Sequence, residues 1–410
     1  MPEHKKPRVV IPIRPIPSAA LAPGEADQLE FRHPPPLSLY VHLPWCVHKC
    51  PYCDFNSHEV RGAFPEAEYV QALIADLEAA LPHIWGRKIS SIFFGGGTPS
   101  LFSGAALDTL LTAFRTLLPL LPDAEITLEA NPGAVEASQF AAFRAAGVNR
   151  LSLGIQSFNN AHLKTLGRIH DEHDARCAIE MAACHFNNFN LDLMYGLPGQ
   201  TLAQAQHDVE CALTFAPTHL SCYQLALEPN TAWATAPPTL PEADLCADMQ
   251  EAIEHRLAAQ GFVHYETSAF AQPGQACRHN LNYWTFGDYL GIGAGAHSKL
   301  TWHDQIVRQV RWKQPKQYLQ KTLQSQAIQE QTAVPANELA FEFMMNALRL
   351  NQGFDAALFT MRTSLPLARI EQALQRAEEE NLLERSLGRI APTPKGRRFL
   401  NPLLKMFLPD

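Results

Sequence analysis

A chain of 410 residues is long enough for one large domain and a smaller companion. Hydrophobic residues make up 46% and charged residues 18%, the balance of a globular protein with a sizeable core, and no apolar run is long enough to span a bilayer. The formal net charge of -8 argues against broad binding to a phosphate backbone, which needs a basic surface.

The chain opens with an arm from Met1 to about Pro36, rich in proline and carrying Lys5, Lys6, Arg8 and Arg14. It lacks the apolar core of a secretory signal and reads as a disordered or surface-hugging extension, a basic contact role being the alternative. Six units then follow, each a short apolar strand, a polar or glycine-rich elbow and a helical stretch. The strands run into LYVHLPWC, SIFFGGGTP, ITLEANP, LSLGIQS, LDLMYGLP and LSCYQLALEP. Between the first two, Tyr69, Leu73, Leu77 and Leu81 recur at helical spacing, and Ala134 to Ala146 and Leu202 to Phe215 read likewise. Alternation of this kind predicts an α/β fold with parallel strands and right-handed crossovers, a partial (β/α)6 TIM-like barrel over residues 37–333. Cys46, Gly95 to Thr98, Glu129, Gln156, Asp192 and Glu228 all fall at or just past a strand's carboxyl end, the rim where βα barrels build their sites.

Cys46, Cys50 and Cys53 stand as CxxxCxxC on that rim. Three thiolates so close can hold one soft metal centre and leave a position vacant, and a cubane iron–sulfur cluster held by three cysteines keeps one iron open to a ligand. Zinc is the rival reading, with His48, Asp54 or His58 as a fourth ligand, but there is no second cysteine pair at zinc-ribbon distance. A disulfide would strand one thiol. The other six cysteines are scattered singly, which fits reduced thiols and a cytoplasmic location.

Gly95, Gly96 and Gly97 before Thr98 and Pro99 expose peptide groups for close approach to a ligand, while neither GxGxxG nor GxxxxGK[ST] is present. Glu129 and Asp192 are suited to ribose hydroxyls or an ammonium group, or equally to an N-cap or an ion pair with Arg150 or Arg168. Gln156 offers a directional amide. Further on, ACRHNLNYWTFGDYLGIGAGAHS combines His279 and Asn280 with the flat faces of Tyr283 and Trp284, a grouping suited to haem as well as to a structural loop. From Val334 the pattern changes. Ala340 to Leu350 and Leu365 to Glu379 read as helices, and the last residues suggest a β wing and a final helix, so 334–410 is expected to be a winged-helix-like α+β domain with a packing or lid role.

CxxxCxxC followed by GGGTP resembles the radical S-adenosylmethionine (SAM) superfamily. LYVHLPWC, LSLGIQSFN and LDLMYGLPGQT resemble, within it, the oxygen-independent coproporphyrinogen III oxidase family. The likeness runs from about Leu37 to the end of the chain, and implies a barrel of radical SAM type with a C-terminal domain of the oxidase kind. It implies a 4Fe–4S cluster on Cys46, Cys50 and Cys53, and a SAM pocket of Tyr40, Tyr52, Gly97, Thr98, Glu129, Gln156, Arg168, Asp192 and Ala226. The oxidases continue their cluster motif as CxxxCxxCxC, whereas Phe55 stands here at the extra cysteine. Phe55 together with HNxxYW, His279 to Trp284, points to the haem-chaperone subfamily, with haem contacts at His279, Asn280, Tyr283 and Trp284. The expectations are therefore a chaperone that carries haem to an acceptor protein, with an electron donor to the cluster and a cluster-linked homodimer as further partners. Against it stand a coproporphyrinogen oxidase working through a 5′-deoxyadenosyl radical, and a nucleic-acid-associated enzyme, which the acidic charge disfavours.

Overall fold

The computed structural model describes residues 29–60, 62–133 and 137–409. Most of the predicted arm, residues 1–28, lies outside them. The described end of the arm is packed rather than loose: Phe31 is buried and its N–H bonds to the carbonyl of His303, and the carbonyls of Pro35 and Pro36 accept from Arg87 and from the N–H of Asp288. Expected disorder fails here because these residues have backbone partners and an apolar anchor.

Six parallel strands form the heart of the molecule: β1 (Leu37–Leu43), β2 (Ile89–Gly96), β3 (Leu120–Ala130), β4 (Arg150–Gln156), β5 (Phe189–Tyr195) and β6 (His219–Gln224), paired in chain order. Helices Glu66–Ile84, Gly104–Leu117, Phe140–Ala146, Glu172–His185 and Leu202–Leu213 cross between them. Their starts follow local chemistry: Ser103 caps the second, and capping boxes at Asp171–Asp174 and Thr201–Gln204 open the fourth and fifth. The sheet curls without closing on itself.

Six further strands extend both edges, and none of them was expected. β8 (Ala269–Ala271) adds antiparallel to β6, and β7 (Val263–Glu266) pairs antiparallel with β8 at the sheet edge. On the other side β9 (Asp288–Ile292) lies parallel to β1, followed antiparallel by β10 (His297–Thr301), β11 (Ile306–Arg311) and β12 (Ile328–Ala333). Glycines at 291, 293 and 295 weaken the strand signal in this stretch, yet pairing to β1 enforces it.

Alternate residues of each parallel strand face the helices and build one apolar core, Leu39, Val41, Ile92, Phe94, Ile126, Leu128, Leu151, Leu153, Leu191 and Leu220 among them. A second core, from Leu339 and Phe343 to Leu403 and Phe407, holds the C-terminal helices and the wing strands Leu383–Ser386 and Arg389–Pro392. It also takes in Phe31, Phe286 and Ile306 from before residue 334. Two helical expectations shift: Ala340–Leu350 becomes Ala336–Ala347, and Leu365–Glu379 begins as a 3-10 turn, Leu367–Ile370, before the α-helix Glu371–Glu379, because Pro366 opens it. A helix at Ala356–Thr363, capped by Asp355, was not foreseen.

Candidate active site at the barrel mouth

The loop after β1 carries the three cysteines. Its entry is stitched to the end of β2, where the N–H groups of Gly97 and Thr98 bond to the carbonyls of Leu43 and Trp45. A Cβ on Gly97 would lie 2.5 Å from the carbonyl oxygen of Trp45, and Gly96 has φ +116. The third N–H of the run, that of Gly96, bonds to Glu129 Oε2 at 3.2 Å. The glycine run was expected to offer its peptide groups to a ligand. These N–H groups are instead taken up within the protein, and the glycines serve close backbone packing under the cysteine loop. At the loop's far end Asn56 Nδ2 bonds to the carbonyls of Ala294 and Lys313, each at 2.9 Å. Trp233 supports its middle, its N–H bonding to the Pro51 carbonyl and its ring 5.8 Å from that of Tyr52.

Between this loop and the strand ends lies a cavity of about 290 Å³. All three thiols line it, as do Tyr52, Gly97, Thr98, Glu129, Gln156, Arg168 and Asp192, so six chain segments far apart in sequence meet here. Tyr40 and Ala226 do not line it. Tyr40 sits deeper, its hydroxyl 3.0 Å from His42 Nδ1, and Ala226 is exposed in the loop after β6 beside the equally exposed Glu228. In that loop Leu225 joins a small apolar cluster with Leu166 and Leu197, which packs behind Tyr52 and Met194 of the cavity wall. The sequence reading missed Asn131, Ser152, Gly154, Met194 and Tyr223, which also belong to the wall. Period-two alternation was the available signal: Ser152, Gly154 and Gln156 share one face of β4, and Asp192 and Met194 one face of β5.

Arg168 is the cross-brace. Its Nη2 bonds to Asn131 Oδ1 at 2.6 Å and the Gly154 carbonyl at 2.8 Å, and its Nη1 lies 3.8 Å from Cys50 Sγ. Neither Glu129 nor Asp192 uses Arg168 or Arg150 as a hydrogen-bonded partner; Asp192 is held by Ser152 Oγ and Asn190 Nδ2. Burial, reinforced by the charge of Asp192, pushes the Glu129 carboxyl up to about 8, and burial raises Asp192 as well. Gln156 has φ +67, a strained conformation for a residue with a side chain, which aims its amide at the cavity's rim. Burial raises the thiols of Cys46 and Cys53, each also raised by neighbouring thiols of the motif and lowered by a hydrogen bond from Ser57.

A cubane takes each thiolate on a different iron, and three thiols lining one cavity, with the Arg168 cation beside Cys50, fit that donor set.

The second predicted group lies below. Helix Arg278–Trp284 plugs the lower end of the barrel, with the His279 ring stacked on Phe93 at 4.6 Å and on Tyr40 at 6.2 Å, and Tyr283 edge-on at 4.8 Å. Burial, with the Arg150 charge, lowers His279 to about 3, so the imidazole is neutral and able to ligate, and its Nδ1 is buried without a partner. Asn280 accepts from the thiol of Cys277, and Trp284 faces the C-terminal domain under Arg349.

Residues 40–212 match the model of the radical SAM superfamily and 334–399 that of the HemN C-terminal domain. The fold is also similar to that of coproporphyrinogen III oxidase (HemN) from Escherichia coli, with a TM-score of 0.77, 25% identity, and coverage of 91% of this chain and 90% of that one. A cysteine-lined cavity at the mouth of an open six-stranded barrel thus defines a radical SAM protein, whose cofactors are a 4Fe–4S cluster and SAM. In sequence the chain is 47% identical to the haem chaperone HemW of Escherichia coli over 92% of this chain and 99% of the relative. Against HemW of Haemophilus influenzae it is 45% identical over 92% and 99%. The chain belongs to the HemW family.

Proposed function

We propose that this protein is a haem chaperone: it binds haem and passes it to an acceptor protein, with cluster and SAM at the barrel mouth. The single observation that carries the reading is the family membership, 47% identity along nearly the whole of a haem chaperone. The site agrees with it. Phe55, 56% exposed at the cavity's edge, puts a ring where the oxidases place a further thiol, so that thiol's ligand or hydrogen-donor chemistry is missing. A neutral histidine with an unpartnered nitrogen among aromatic rings suits haem contact.

The chain's own residues divide the work. Cys46, Cys50 and Cys53 are the cluster ligands, Arg168 braces their loop, and Glu129, Gln156, Asp192, Thr98 and Tyr52 present polar groups to SAM. When bound, the cluster offers an open iron and one-electron chemistry. Glu129 holds its proton near neutral pH and so can donate as well as accept. Haem is assigned to His279, with Asn280, Tyr283 and Trp284 around it. An electron donor and a cluster-linked dimer are part of the same proposal. So is a cytoplasmic location, supported by cysteines free of disulfides and by the lack, among the described residues, of a helix able to cross a membrane.

The test is a haemin titration of the reconstituted protein. Stoichiometric binding with a shifted Soret band, weakened in His279→Ala, is the expected result. Its absence, with protoporphyrinogen formed anaerobically from coproporphyrinogen III, reductant and SAM, would favour the oxidase reading that the HemN fold invites.

A further inference from the structure

An open groove of about 580 Å³ lies at the end of the barrel away from the cysteines. Its place follows from its lining: Pro34 and Arg87 precede the starts of β1 and β2, whereas the cysteine loop follows the end of β1. Three stretches build it. The last turn of the helix Glu66–Ile84 and the residues after it bring His83 and Trp85. The turn between β10 and β11 brings Trp302 and His303, and the described end of the arm brings Phe31, whose N–H bonds to the His303 carbonyl. The His83 ring stacks on the Trp302 indole with centroids 5.5 Å apart, and Trp85 is 81% exposed.

What the groove can hold follows from which of its polar groups are already paired. Arg87 gives Nη1 to Asp288 Oδ2 at 2.8 Å and Nη2 to the Pro35 carbonyl at 2.6 Å, and the Thr301 hydroxyl donates to Asp288 Oδ1 at 2.8 Å. A phosphate or nucleotide therefore finds no unpaired cation among the described lining residues. Trp302 Nε1 is buried without a partner, and neither imidazole is hydrogen-bonded to the described residues. An indole left in water forgoes burial that a flat ligand would supply. Aromatic faces beside two unengaged imidazoles suit a planar apolar macrocycle whose metal accepts a histidine nitrogen, and the volume is that of a small-molecule site.

We infer that this groove is a haem site separate from His279, with His83 and His303 as its iron-binding side chains and Trp85 against the porphyrin face. The inference rests on the chaperone reading and deepens it. His279 is packed among rings inside the barrel, whereas this groove opens to solvent, where an acceptor protein can reach the cargo.

The experiment titrates haemin into reconstituted wild type, His279→Ala, Trp85→Ala and the double variant His83→Ala/His303→Ala, with circular dichroism confirming each fold. Optical and EPR spectra report histidine ligation of the iron. His279→Ala is expected to keep one equivalent of histidine-ligated haem, which the double variant binds at least about tenfold more weakly. Trp85→Ala should weaken the same equivalent by roughly threefold to tenfold. Wild-type stoichiometry, affinity and spectrum in the double variant overturn the inference, as does loss of all haem in His279→Ala. Should the double variant misfold, unchanged binding in Trp85→Ala, a change on the surface, overturns it. Failure of wild type to bind haemin at all would instead remove the chaperone reading, a distinguishable result.

Discussion

The guanidinium of Arg349 lies over the indole ring of Trp284, 4.4 Å from its centroid, and joins the barrel's plug helix to the C-terminal domain. Arg362 Nε bonds to the Thr285 carbonyl beside it, and Phe286 enters the C-terminal core against Phe343. The helix that carries His279 is thus held from both sides, by stacking in the barrel and by the following domain. Arg349→Ala should destabilise the protein by about 1 kcal/mol and raise hydrogen exchange in residues 278–286. Unchanged exchange there would show that the contact ties nothing down.

The cysteine motif gives a second expectation. Serine at position 46, 50 or 53 should remove stoichiometric iron and sulfide after anaerobic reconstitution, whereas Cys177→Ser and Cys184→Ser, on exposed thiols of another helix, should keep both. Iron content measured chemically decides it. Retention in all three motif variants would rule the loop out as the cluster site.

Glu129 gives a pH dependence with a definite sign. Its folded value of about 8 lies above the ordinary 4.5, so between these limits the folded chain keeps a proton that the unfolded chain has lost. The group's contribution to stability is full at low pH and is lost as pH rises toward 8. Glu129→Gln removes that loss, and should gain stability on the order of a few kcal/mol at pH 8 while matching wild type near pH 4. Chemical denaturation of the cofactor-free protein across this range is the measurement, and parallel curves for the two proteins would contradict the assignment.

At Gly97 a methyl group would press on the backbone of Trp45 and Pro44, which cannot yield as a flexible side chain would. Gly97→Ala should cost about 1–3 kcal/mol and weaken cluster retention, because the same residue's N–H holds the loop entry to Leu43. Normal stability together with normal iron content would refute the packing role.

Much of the mouth was legible because the rim residues obey a local rule, standing at the carboxyl ends of strands that alternation reveals. Cys46, Gly97, Glu129, Gln156 and Asp192 were placed together on that ground, and they do line one cavity. Glu228, placed by the same rule, is exposed in the loop after β6 and does not line that cavity; nor do Tyr40 and Ala226, which the family resemblance implied, since depth along a strand and the path of a loop depend on packing between distant elements. Ser152 shares a strand face with Gln156, so alternation marked it, whereas Tyr223 carries no such local mark and faces the cavity only once the sheet curls.

By itself the amino-acid order determined the βα alternation, the triplet of thiols and the substitution at Phe55, all matters of spacing within a few residues. Only the tertiary structure decided that β9–β12 extend the sheet, that N–H groups of the glycine run serve the protein's own chain, and that the His279 ring stacks on Phe93 and Tyr40 inside the barrel. Those outcomes depend on contacts between residues well separated in the chain, and such contacts are fixed by which surfaces can be buried together, a property no local pattern records.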